Sequence, residues 1–84
     1  IPTDVNVDYT YGKACSGQAV LKIYNRKDTD TQSRSDLPRE MINYCTSSPD
    51  CGFIWAESDR SKYYACRMSS ADNYDRDYWR FNKN

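Results

Sequence analysis

The chain of 84 residues reads as a single α+β domain, residues 1–84: a small antiparallel sheet of four to five strands, one helix packed on one face, and two disulfides. Three observations predict this. Residues 50–69, DCGFIWAESDRSKYYACRMS, alternate with the two-residue period of strands on either side of a short polar link, the pattern of a β-hairpin. Leu37, Met41, Tyr44 and Cys45 recur at i, i+4, i+7 and i+8, the apolar stripe of a helix about three turns long. Cys15, Cys45, Cys51 and Cys66 make an even number in a short chain, the signature of a disulfide framework.

In chain order, residues 1–14 alternate with Val5, Val7, Tyr9 and Tyr11 on one face and Asp4, Asn6, Asp8 and Thr10 on the other, which predicts a half-buried strand ended by Gly12. Residues 18–24, QAVLKIY, predict a second strand with Ala19, Leu21 and Ile23 inward and Lys22 outward. Cys15 falls on the Ile23 face when counted in twos, unless Gly17 inserts a bulge. Residues 25–34, NRKDTDTQSR, hold no apolar side chain and predict a solvated loop. Ser35 or Asp36 can cap the helix, with Pro38 tolerated in its first turn because the missing N–H has no partner to lose there. Pro49 lies in the turn that follows. In the hairpin, Phe53 and Trp55 alternate with Ile54 and Ala56, and Tyr64, Cys66 and Met68 alternate with Tyr63, Ala65 and Arg67. From Asp72 onward periodicity allows a short helix or a last strand; the strand reading puts Tyr78 and Arg80 on one face and Trp79 and Phe81 on the other. Sequential hairpins then assemble the sheet.

At this length a core alone supplies only about 3 to 5 kcal/mol, so covalent staples are needed. Three pairings are open. Cys45 closes the helix and Cys51 opens the next strand across a proline turn, which makes a local bridge easy and leaves Cys15 for Cys66. The competing set joins Cys15 to Cys51 and Cys45 to Cys66, tying the helix end directly to the sheet. Two disulfides imply an oxidising compartment, and a start at Ile1 without an initiator methionine reads as a processed, secreted, extracellular chain. No apolar run approaches the roughly 18 residues of a membrane span.

Twelve basic and twelve acidic residues cancel, six of each before residue 43 and six of each after it. A general attraction to nucleic acid or anionic lipid is therefore not indicated. Histidine is absent, which removes the usual general base and zinc ligand, and with them histidine-dependent ribonucleases, triad hydrolases and His-ligated zinc sites. The acidic runs at Asp28–Asp30 and Asp72–Asp77 lack the spacing of a calcium loop, so no metal and no cofactor is expected. Glu57, at the end of an aromatic strand, is the carboxylate best placed for a hydrolase acting on polysaccharide or RNA, although an exposed glutamate at a strand end is the commoner case. Eight tyrosines and two tryptophans exceed what a thin core needs, and several stand beside arginine. These residue types dominate interface energetics, which singles out Tyr63, Arg67, Tyr74, Arg76, Tyr78, Trp79 and Arg80 as a candidate contact surface. The alternative is that the same rings simply pack the sheet.

The four cysteines, the start at Ile1 and the strand pattern resemble small secreted fungal effectors and killer toxins, which share this size and a compact, sheet-rich fold. One subgroup resembles microbial ribonucleases and carries an aromatic-x-cysteine near its start. Here Lys13-Ala14-Cys15 lacks the aromatic residue and Tyr44 comes too late, so ribonuclease activity is not implied. The resemblance implies a monomeric, non-enzymatic protein that acts by binding a host or target-cell macromolecule, a protein or a cell-surface component. A secreted inhibitor module differs only in its partner.

Overall fold

The computed structural model describes residues 6–27 and 37–82. Five strands, β1 (Asn6–Ala14), β2 (Val20–Asn25), β3 (Phe53–Ala56), β4 (Lys62–Cys66) and β5 (Asp72–Asn82), form one antiparallel sheet in the order β1-β5-β3-β4-β2. One helix, α1 (Arg39–Ser47), packs against β3 and β4. This is the predicted α+β class with two disulfides, Cys15–Cys66 and Cys45–Cys51.

The hairpin β3–β4 forms as its alternation requires. Phe53 pairs with Cys66 and Trp55 with Tyr64, so one row of side chains faces α1 and the other faces away. The turn is closed by Glu57, whose N–H donates to the Lys62 carbonyl and whose own carbonyl accepts the Arg60 N–H. Arg60 adopts a left-handed backbone, φ 63°, and the Asp59 carboxylate accepts the Ser61 N–H at 2.9 Å. The helix buries Met41 and Cys45 and half-buries Tyr44, and Leu37, buried too, lies just before its first turn. Pro38 stands just before the first turn, its carbonyl accepting from the N–H groups of Met41 and Ile42. The proposed caps Ser35 and Asp36, Val5 and the loop beyond Lys27 lie outside the described residues.

Topology departs from sequential hairpins. The segment after Asp72 is a strand of 11 residues inserted between β1 and β3, which sends β1 and β2 to opposite edges. Two parity readings change as a result. Val7, Tyr9 and Tyr11 share the helix side of the sheet but stay exposed, because β1 is an edge strand and α1 packs chiefly on β3 and β4. In β2 a 3-10 turn over Gly17–Ala19 and a bulge between Val20 and Lys22 turn Leu21 and Tyr24 toward the helix-side core, and Ile23 is left 54% exposed on the other face. Lys22 follows the same side, with its ammonium 3.7 Å from the Glu40 carboxylate and over the Tyr44 ring.

Two cores result. The helix-side core gathers Met41, Cys45, Ile54, Tyr63, Ala65 and Trp79. The opposite core, formed by Ala14, Cys15, Phe53, Trp55 and Cys66, has no α-helix over it among the described residues; Ala19, Met68 and Tyr78 pack against it instead. Gly52 joins them at a close approach: a Cβ there would lie 2.5 Å from the Met68 nitrogen and 2.7 Å from its Cβ.

Replacing Cys15 and Cys66 together by alanine opens a loop spanning 51 positions and is expected to lower unfolding free energy by about 4 kcal/mol, against about 2 kcal/mol for the short Cys45–Cys51 loop, read from denaturant curves of the two variants. Gly52→Ala is expected to cost about 1–3 kcal/mol in the same assay, since the contact is with main chain that cannot swing away.

Candidate functional site

The face turned away from α1 carries an open cavity of about 490 Å³. Its position follows from the crossover between β1 and β2: with β2 at the far edge, residues 15–19 run across the end of the sheet, and Cys15, Ser16 and Gly17 form one wall. Trp55 and Tyr64, directly opposed on β3 and β4, form the opposite wall as a stacked pair with centroids 4.2 Å apart and planes at 12°. Val20 and Ile23 add aliphatic surface. The rim comes from the start of β5, where Tyr11 faces Asp77 and Lys13 faces Asn73, so that three residues of β5 stand against Gly12 alone. Gly12 meets this bulge with φ 114°, a backbone that side chains disfavour. The bulge carries Tyr74 outward, and Asp72, Asn73 and Tyr74 all border the opening.

Polar contacts hold the rings in place. The Tyr64 hydroxyl donates to Glu57 Oε2 at 2.7 Å, and Glu57 Oε1 lies 4.0 Å from Arg76 Nε. The Arg76 guanidinium in turn covers the Tyr74 ring, 4.6 Å from its centroid. Burial first, and then the hydrogen bond and negative charge of Glu57, push the Tyr64 phenol up from 10.0 to about 12. The Trp55 indole N–H is buried and finds no hydrogen-bond partner among the described residues.

Four of the seven predicted contact residues share this face. Tyr74 and Arg80 are exposed, Arg76 is half-buried, and Tyr78 meets Phe53 edge to face at 5.7 Å. Two others are core residues on the helix side: Tyr63 is 2% exposed and Trp79 1%, their rings 5.9 Å apart. They leave the contact surface because odd-numbered positions of β5 and Tyr63 on β4 point toward α1. Arg67 is exposed beyond β4, 3.6 Å from the Asp50 carboxylate, away from the cavity wall. Trp55 and Tyr64 are the wall residues that clustering with arginine does not pick out; the signal for them lies in the hairpin alternation, which sets both on the face of Phe53 and Cys66.

Glu57, the carboxylate considered for hydrolysis, anchors the Tyr64 ring at the margin of this site. Among the described residues no cluster of three or more cysteine or acidic side chains could hold a metal, and no helix is long and apolar enough to cross a membrane.

No family model, curated protein or solved structure matches this chain.

Because the native Tyr64 phenol keeps its proton to a higher pH than the unfolded chain does, its contribution to stability is whole below pH 10.0 and lost as pH rises toward about 12. Near-ultraviolet titration is expected to resolve one phenol with that late ionisation. Glu57→Gln, which keeps an acceptor and removes its charge, should move it down and cost about 1 kcal/mol at neutral pH, the difference between a charged and a neutral acceptor.

Proposed function

We propose that the chain is a secreted, non-enzymatic effector or toxin-like protein that binds a target macromolecule, a protein or cell-surface component, through the face opposite α1. The observation that carries this reading is a cavity walled by the Trp55–Tyr64 stack and Tyr74, on the same face of the sheet as Arg76, Tyr78 and Arg80. Aromatic and arginine side chains at a partly apolar hollow are the composition of interface hot spots, where a partner's projecting side chain finds large rigid area with polar handles. The two disulfides are compatible with an extracellular setting, and the resemblance to small secreted fungal effectors and killer toxins points the same way.

A second reading rests on Glu57 beside the Tyr64 hydroxyl and Arg76, the margin at which a carboxylate-dependent hydrolase of polysaccharide or RNA would work. Turnover of either substrate, lost in Glu57→Gln with the fold retained, would replace the binding reading.

The test is capture from extracts of candidate target cells with three baits: the wild type, Tyr74→Ala/Arg80→Ala on the cavity face, and Val7→Ser/Tyr11→Ser on the helix side. All substituted positions are exposed, so the melting temperature should hold in each. A partner kept by the wild type and the helix-side variant and lost by the cavity-face variant is the expected result. Equal capture by all three sinks the proposed face.

A further inference from the structure

We infer that the cavity takes a guanidinium group, an arginine side chain presented by the partner, stacked on the Trp55–Tyr64 wall and paired with Asp72; this rests on the binding reading above. The protein itself shows how it holds this group. Arg60 lies 5.0 Å from the centroid of the Trp79 ring while its guanidinium meets the Asp77 carboxylate at 2.6 Å. Arg76 lies 4.6 Å from the Tyr74 centroid with Glu57 4.0 Å away. In both places a planar cation sits against an aromatic face beside a carboxylate.

The Trp55–Tyr64 wall repeats the ring without a cation on it; the cations nearest the rim are engaged elsewhere, Lys13 with Asn73 Oδ1 at 3.3 Å and Arg76 over the Tyr74 ring. Among the described residues that line it, Asp72 is the one charged side chain, and it is exposed at the rim. The rings of Trp55 and Tyr64 offer π-faces, which attract a planar cation and repel an anion placed over them. The hydrogen bond from the Tyr64 hydroxyl to a carboxylate adds electron density to that ring and strengthens the attraction. Val20 and Ile23 offer the apolar surface along which the three methylenes of an arginine lie. Guanidinium suits this wall better than ammonium, being planar, weakly hydrated and able to stack. An anionic ligand would meet Asp72 and the ring faces together, both unfavourable.

The experiment titrates the intact, oxidised protein with N-acetyl-arginine-methylamide and with its citrulline counterpart, the same shape without the charge, while the Trp55 indole and Tyr64 ring resonances are followed by NMR. Saturable millimolar binding of the arginine amide is expected, about fivefold or more tighter than citrulline at low salt. Asp72→Asn should remove most of that preference without moving the melting temperature. Equal affinity for the two amides, a preference unchanged in Asp72→Asn, or no saturable shift at Trp55 and Tyr64 would overturn the assignment. The two readings fail separately. A partner captured through the cavity face while the cavity ignores arginine refutes only the ligand class, whereas capture indifferent to the cavity-face substitutions refutes the binding face whatever the amides do.

Discussion

The bond between Cys15 and Cys66 fixes the side of the sheet that has no helix. It anchors the crossover leaving β1 to the middle of the sheet, where Cys66 pairs with Phe53 on β3 and Val20 on β2. Both cysteines are buried, so the sulfurs act as core atoms as well as a tether, in contact with Phe53 and Trp55. Free of that tether, residues 15–19 would have only a 3-10 turn to hold them near β4, and the cavity would lose one wall. The second bridge works at shorter range, bringing the end of α1 to the residue that opens β3.

The two faces of the sheet put the same residue types to different uses. Toward α1, Trp79 and Tyr63 are shut in with Met41 and Cys45, and the Arg60–Asp77 pair seals the ring edge from outside. Tyr9 extends that cluster to the edge strand, its ring 5.4 Å from Trp79 and its hydroxyl donating to Asp77. Away from α1, Phe53 and Trp55 are buried, while Tyr64, Tyr74 and Tyr78 are only partly covered. Tyr64 is positioned through Glu57, and Tyr74 through Arg76, a chain of contacts that orders aromatic surface while leaving it open. Preorganised rings lose little side-chain entropy on meeting a partner, which is how a small protein can bind with a modest area.

The clustering of arginine with aromatic residues after Asp72 is legible in the sequence, and so is the alternation that sets Tyr78 and Arg80 against Trp79 and Phe81. What the clustering cannot rank is exposure. Trp79 and Arg80 are neighbours in sequence, yet one is 1% exposed and the other lies on the surface, because only one side of β5 has α1 and its core beneath it. Trp55 and Tyr64 share an alternation class with the buried Cys66, a position that reads as core until the crossover proves to pass beside them and leave a hollow.

By itself the sequence determines the first four strands and the helix, which side chains of the β3–β4 hairpin share a face, and which cysteines lie near enough for a local bridge, since all of these follow from spacing along a few neighbouring residues; the segment from Asp72 onward it leaves open between helix and strand. Only the tertiary structure decides the order of the strands. The insertion of β5 between β1 and β3 depends on pairings between residues distant in sequence, from Trp55 with Tyr78 to Asn6 with Asn82, for which no local period exists, and it is this insertion that exiles β2, stretches the crossover and opens the cavity. The face of each strand that is buried follows from the same order, because a helix of 9 residues packs chiefly on β3 and β4 and leaves the other face to the rings and the disulfide.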